Sequence, residues 1–127
     1  MKIVVIDDDQ AMTELLILLL LPITSNVIAA HSGKEGILIT KEEDPDIILL
    51  DLMMPDMNGW DVCKKIREFS HTPILILSAL DSPKFISQAL EFGADDYIIK
   101  PVGSSILIAH INKLVRRNNS LLSSLPA

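Results

Sequence analysis

The sequence predicts an α/β fold, a three-layer sandwich with a parallel sheet between two layers of helices. Two observations lead there. Short runs rich in Val, Ile and Leu alternate strictly with longer segments of helical length. The runs are continuously apolar rather than alternating, as expected for strands covered on both faces.

Lys2–Asp7 is the first strand, and Gln10–Leu21 is the first helix, stopped by Pro22. Val27–Ala30 is the second strand, followed by a helix over Gly33–Glu43. Pro45 leads the chain into the third strand, Asp46–Asp51, and the third helix spans Gly59–Phe69. Pro73–Ser78 is the fourth strand. Ser82-Pro83 then has the form of an N-cap followed by proline at the first helical position, opening a helix over Ser82–Phe92 that Gly93 closes. The fifth strand is Asp95–Lys100 and the last helix Ser104–Arg117. No internal repeat is present. Residues 1–117 form one domain, and 118–127 are expected to be a linker or tail, being polar and then Ser/Leu-rich.

Composition narrows the function. The chain has 127 residues, enough for one core, and 49% of them are apolar but only 4% aromatic, so the core is aliphatic. A net charge of −6 argues against this domain itself gripping a phosphate backbone. The single cysteine, Cys63, excludes a disulfide framework and suits a reducing, cytoplasmic setting; mid-helix, it is expected to pack in the core. The apolar N-terminal run is too short for a signal peptide. Leu15–Leu21 falls well below the roughly 18 residues that a membrane span needs. The triplet Asn118-Asn119-Ser120 matches a glycosylation site only by chance in such a setting.

In open α/β sheets, ligands bind beyond the carboxyl ends of the strands, where the strand order reverses. The first strand delivers Asp7 and Asp8 there, the third Asp51, the fourth Ser78 and Ala79, and the fifth Lys100 and Pro101. If the order is 2-1-3-4-5, strands one and three flank the reversal and the three acids converge. Clustered carboxylates ionise together only beside a cation, and oxygen-only ligands suit Mg²⁺ or Mn²⁺. Lys100 adds a positive charge and Ser78 a hydroxyl. The set suits an anion beside a metal, such as a phosphoryl group, with Asp51 as a nucleophile.

At this point the sequence resembles a family. VVIDDD, IILLDLMMPDMNGWDVCKKIR, PILILSA and GADDYIIKP match the receiver domain of bacterial response regulators over about residues 2–117. The resemblance implies a flavodoxin-like (βα)5 sandwich with strand order 2-1-3-4-5. It implies that Asp51 accepts a phosphoryl group from the phosphohistidine of a histidine kinase. Asp8, the Asp51 carboxylate and the Met53 carbonyl hold Mg²⁺ in that family pattern, with Asp7 helping through water. Lys100 pairs with Asp51 and then with the phosphoryl oxygens. Ser78 and the backbone N–H of Ala79 bind those oxygens, and Tyr97 turns inward as the switch aromatic. The Lys100-Pro101 bond is cis. Pro55 and Asn58-Gly59 shape the loop after Asp51. Such a domain catalyses its own phosphorylation and dephosphorylation and is not an enzyme on another substrate.

Other classes fit less well. A flavin mononucleotide binder of this fold has a Ser/Thr/Gly-rich first loop, whereas this one is acidic. A dehalogenase-type phosphatase needs an acid two residues after the nucleophile, where this chain has Met53. A silent receiver would lack an acid, the hydroxyl or the lysine, and none is missing.

Several features depart from the family. Val102 stands where Phe is common, so the turn into the last helix is expected to pack differently. The last helix, SSILIAHINKLVRRNN, resembles receivers that precede a winged-helix DNA-binding domain and dimerise through the fourth helix, fifth strand and fifth helix. Asp95 and Asp96 are present, but His110 replaces the usual basic partner, and Ile86 and Ile106 replace a charged pair. A dimer face more apolar than usual is expected, with pH sensitivity through His110. Leu15–Leu21 is apolar on all sides. That suits either an unusually buried helix or a docking surface, since kinases contact the first helix in this family. Trp60 lies near the loop but at no established distance from the metal, and His31 and His71 have no ligand-like spacing. Asp9 is expected to face solvent at the start of the first helix, where its charge favours the helix dipole. Without a cation the acidic corner is expected to be strained, so that neutralising Asp7 or Asp8 raises stability.

Overall fold

The computed structural model describes residues 1–123. Its elements run β1 Ile3–Ile6, α1 Gln10–Leu20, β2 Val27–Ala30, α2 Gly33–Glu43, β3 Ile47–Leu50, α3 Gly59–Arg67, β4 Ile74–Ser78, α4 Pro83–Glu91, β5 Asp96–Ile99 and α5 Ser104–Ser123. All five strands are parallel, in the order β2-β1-β3-β4-β5. The strand order reverses between β1 and β3, as the sequence led us to expect.

Alternate residues of each strand feed two separate cores, which is why the runs are apolar throughout. Val4, Ile6, Ile48, Leu50, Ile74 and Ile76 face α2, α3 and α4, where they meet Val62, Cys63, Ile66 and Ala89. Ile3, Val5, Ile47, Leu49, Leu75 and Leu77 face α1 and α5 and meet Leu16, Leu20, Leu107, Ile111 and Leu114. Cys63 is fully buried, and burial pushes its thiol up to about 12, which suits the packing role and makes it inert.

Three helix ends add detail to the sequence reading or correct it. Ser82 is the N-cap of α4, but its side chain makes no capping bond, and Pro83 alone shapes that start. Asp9 is exposed, and its carboxylate accepts from Met12 N at 3.2 Å, so it caps α1 directly as well as facing solvent. The last helix does not stop at Arg117 but continues to Ser123. Asn and Ser are weak helix formers rather than breakers, and the first proline after Gly103 is Pro126. The part of the expected tail over 124–127 lies outside the described residues. Among the described residues, no helix is long and apolar enough to cross a membrane.

At the amino-terminal edge of the sheet, Arg67 ties three segments together. Its guanidinium donates to Gly93 O at 3.0 Å, Thr72 O at 2.7 Å, Ser70 O at 3.2 Å and the Asp95 carboxylate at 2.9 Å. Asp95 also accepts from Ile74 N at 2.8 Å and lies 3.5 Å from Arg117. It is therefore engaged within the chain.

Candidate functional site

The site is assembled by backbone bonds that run one residue past the strands. Asp7 N donates to Ala30 O at 3.0 Å, Asp51 N to Ile6 O at 3.0 Å and Lys100 N to Ser78 O at 2.8 Å. With Ile6 level with Leu50 in the sheet, Asp7 and Asp51 emerge side by side. Carboxylate oxygens of Asp7, Asp8 and Asp51 all lie within 4.8 Å of one another.

The three acids differ in setting. Asp7 is 2% exposed, Asp51 partly buried and Asp8 exposed. Asp7 accepts from Asp9 N at 2.9 Å and from Lys100 Nζ at 3.0 Å. Lys100 Nζ stands farther from Asp51, at 3.9 Å. Lys100 was expected to pair with Asp51; the shorter bond instead goes to Asp7, the more deeply buried charge and the one most in need of compensation. Burial pushes the Asp51 carboxyl above its ordinary value. Lys100 pulls it back, the charge of Asp7 pushes it up, and the N–H groups of Met53 and Leu52 pull it down.

Three oxygen donors around a partly buried pocket, with one lysine between two of them, are a donor set for a hard divalent cation. The residues present therefore fit Mg²⁺ or Mn²⁺. Met53 follows in the loop with its side chain exposed, so no apolar packing of that side chain competes for the position of its carbonyl.

Ser78 is fully buried at the end of β4, and Ala79 beside it is exposed. Leu80 links the hydroxyl to the aromatic: Leu80 N donates to Ser78 Oγ at 3.3 Å, and Tyr97 OH donates to Leu80 O at 2.6 Å. Burial pushes the Tyr97 phenol up, a bond with the Ser78 side chain pulls it back, and Asp51 and Asp81 push it further. The Tyr97 ring therefore lies over the β4–α4 loop, within electrostatic reach of Asp51. The Lys100-Pro101 bond is cis. Val102 is half-buried, and a cavity of about 130 Å³ lies between Leu16, Leu77, Pro101 and Val102.

The geometry matches a known family. The model of the response regulator receiver domain matches residues 3–112. This chain is a response regulator receiver domain. It is 41% identical over 129 residues to "Probable transcriptional regulator ycf27" of Porphyridium aerugineum, covering 97% of this chain and 54% of that protein. It is 38% identical over 116 residues to "Transcriptional regulatory protein AfsQ1" of Streptomyces coelicolor, covering 91% of this chain and 52% of that one. The receiver thus spans about half the length of the curated relatives it matches. Among solved structures, a two-component response regulator from Clostridium difficile is 33% identical with a TM-score of 0.88, covering 93% of this chain and 98% of that one. The BeF3-activated receiver of Klebsiella pneumoniae RstA is 32% identical with a TM-score of 0.87, covering 91% and 99%.

Two surfaces singled out in the sequence can now be placed. On α1, Leu15 is 47% and Leu18 63% exposed, while Leu16 and Leu20 face the core. The receiver's first helix is therefore not unusually buried, and it carries an apolar outer stripe. On the face of α4, β5 and α5, Leu90, Ile99 and Ile106 are exposed and Ile86 is half-buried. His110 Nδ1 donates to Ile106 O at 2.9 Å, and its Nε2 is 3.8 Å from the Asp96 carboxylate. Asp95 is held by Arg67 and Arg117, while Asp96 and His110 stand together on this face. Trp60 Nε1 donates to Phe85 O at 3.2 Å, and its ring packs against Phe85, so it reports on the α3–α4 contact.

The sequence reading missed Asp56. Its carboxylate accepts from Gly33 N at 3.1 Å and Lys34 N at 3.3 Å, linking the loop after Asp51 to the first turn of α2. A carboxylate within the MPDMNG stretch was visible, but its partners lie more than twenty residues away in sequence.

Proposed function

We propose that this receiver is a Mg²⁺-dependent phosphoacceptor switch. The observation that carries the reading is the convergence of the Asp7, Asp8 and Asp51 carboxylates within 4.8 Å, with Lys100 3.0 Å from Asp7 and 3.9 Å from Asp51. Asp8, Asp51 and the Met53 carbonyl would hold the cation, with Asp7 beside them. When bound, Mg²⁺ or Mn²⁺ neutralises charge on the transferring phosphoryl oxygens.

The residues of the chain do the rest. One Asp51 oxygen attacks the phosphorus of a phosphohistidine on a histidine kinase. The P–O bond forms as the P–N bond breaks, and the bond's electron pair leaves with the imidazole nitrogen. Lys100 has only to shift from Asp7 toward Asp51 to meet the added charge. The Ser78 hydroxyl turns from Leu80 to donate to a phosphoryl oxygen, and Ala79 N–H offers a second donor. Because Leu80 also accepts from Tyr97, that movement disturbs the aromatic and alters the α4–β5–α5 face. The domain acts on itself rather than on a separate substrate. Control of transcription, through a DNA-binding domain elsewhere in the protein, is the output that the named relatives favour.

Intact mass after incubation with acetyl phosphate and Mg²⁺ tests the chemistry. One phosphoryl group is expected on the wild type and none on Asp51→Ala; an unlabelled wild type would refute the reading. Sedimentation of the same labelled sample reads the homodimer expected through α4, β5 and α5. A monomer would remove that part of the reading.

The exposed stripe on α1 is where the kinase would dock. Leu18→Lys, which is 63% exposed in the folded chain, is expected to slow transfer from the kinase by about tenfold or more. Labelling by acetyl phosphate should be unchanged, and an equal fall in both rates would place the defect in the fold instead.

A further inference from the structure

The segment from Leu52 to Asn58 carries the Met53 carbonyl, and its geometry sets where that oxygen sits. The segment is anchored at both ends. Gly59 N donates to Leu52 O at 2.9 Å, and Asn58 caps α3 by accepting from Asp61 N at 2.9 Å. Between these anchors, among the described residues, the loop's polar tie to another element is the Asp56 carboxylate on α2. One oxygen accepts from Gly33 N at 3.1 Å and the other from Lys34 N at 3.3 Å. These are two of the amides that a helix leaves without internal partners. The remaining cap of α2 is separate: Ser32 accepts from Glu35 N at 3.1 Å.

Packing supports the tie. A Cβ on Gly33 would lie 3.0 Å from Met57 Cβ and 2.9 Å from a Val62 methyl, so the helix start and the loop already touch closely. Burial pushes the Asp56 carboxyl up, but the backbone N–H groups of Gly33, Lys34, Met57 and its own residue together hold it below its ordinary value, so it is kept as an acceptor. Asp56 itself is exposed and contributes nothing to the apolar core.

We infer that Asp56 is a positioning residue for the cation, clamping the Leu52–Asn58 loop to the first turn of α2 so that the Met53 carbonyl is preset for coordination. This rests on the proposed Mg²⁺ reading. Residues that orient a ligand without touching the metal alter its affinity more than they alter the chemistry. The clamp separates into two effects, the acceptor geometry and the negative charge. Asparagine carries no charge and keeps one acceptor oxygen, so it can hold one of the two amides but not both. Alanine holds neither.

Calorimetric titration of the full chain with MgCl₂ alone tests this, with wild type, Asp56→Ala and Asp56→Asn side by side. Asp56→Ala is expected to bind Mg²⁺ about tenfold more weakly. Asp56→Asn, which retains one of the two bonds, is expected to fall between wild type and Asp56→Ala. With acetyl phosphate, the Mg²⁺ concentration for half-maximal labelling should rise in Asp56→Ala, while the rate at saturating Mg²⁺ changes little. Wild-type affinity in Asp56→Ala overturns the clamp alone. Equal weakening of both variants also overturns it, because the amide bond that asparagine retains would then contribute nothing to holding the loop. A wild type that binds no Mg²⁺ overturns the metal reading, and the clamp with it.

Discussion

Gly59→Ala is expected to destabilise this receiver and slow its phosphorylation, although it removes no polar group. A Cβ on Gly59 would lie 2.6 Å from the Asp51 carbonyl oxygen and 2.7 Å from Leu52 Cα. Both are backbone atoms, so no side chain can rotate away. Either α3 lifts off the end of β3, which breaks the 2.9 Å bond from Gly59 N to Leu52 O, or Asp51 shifts. Overpacking of this kind costs about 1–3 kcal/mol. The gain in helix propensity from glycine to alanine is at most about 1 kcal/mol and does not offset it in full. For a domain of this size the melting temperature should fall by several degrees. Labelling by acetyl phosphate should slow, because the nucleophile is carried on the strained segment. Gly103→Ala is the control, since a Cβ there meets nothing within 4 Å. If Gly59→Ala melted with the control, the close approach would not be real.

The second large effect separates two neighbouring acids. Without Mg²⁺, Asp51→Asn is expected to melt higher than wild type at neutral pH. The Asp51 carboxyl is raised in the folded state, by burial first and by Asp7 against the opposing pull of Lys100. Between the ordinary value of 3.8 and the raised one, the folded chain holds a proton that the unfolded chain has released. Stability from this group therefore falls as pH rises through that window, and the penalty is complete above it. Asparagine removes the penalty, so its advantage should be full at neutral pH and shrink as pH approaches 3.8. Each kcal/mol recovered is worth roughly 4 °C.

Asp7→Asn should do the opposite. Asp7 is the partner of Lys100 at 3.0 Å in a nearly buried pair, so neutralising it leaves the lysine with Asp51 at 3.9 Å. A loss of about 1–3 kcal/mol is expected. The sequence alone suggested that neutralising Asp7 would relieve strain; the Lys100 contact reverses that expectation. Added Mg²⁺ at a hundred times its dissociation constant should stabilise the wild type by about 2.7 kcal/mol, and Asp51→Asn by less. Thermal melts of the three proteins across pH, with and without MgCl₂, read all of this. An Asp7→Asn protein more stable than wild type would refute the assignment of Lys100.

The sequence by itself determined the five strands, the five helices and which residue each strand delivers to the site. Those features are local. A strand between two helical layers must be apolar on both faces, so Val4-Val5-Ile6, Ile47–Leu50 and Ile74–Leu77 announce themselves. Each ends on a polar residue that no core would accept unpaired, which marks Asp7, Asp51 and Ser78 without any contact being known, and Lys100 marks the end of the fifth strand in the same way. Element ends were less legible. Nothing in Asn118-Asn119-Ser120 compels a helix to stop, and α5 runs through them.

Only the tertiary structure decided what depends on distances between elements. It gave Lys100 to Asp7 more closely than to Asp51, since that choice turns on which carboxylate lies deeper. It exposed Leu15 and Leu18, because a helix apolar on all sides leaves open which side meets the sheet. It engaged Asp95 with Arg67 and Arg117, so an acid legible in the sequence as a dimer contact is already satisfied within the chain. It placed Asp56 on the amides of Gly33 and Lys34, a bond that local propensity has no means to signal.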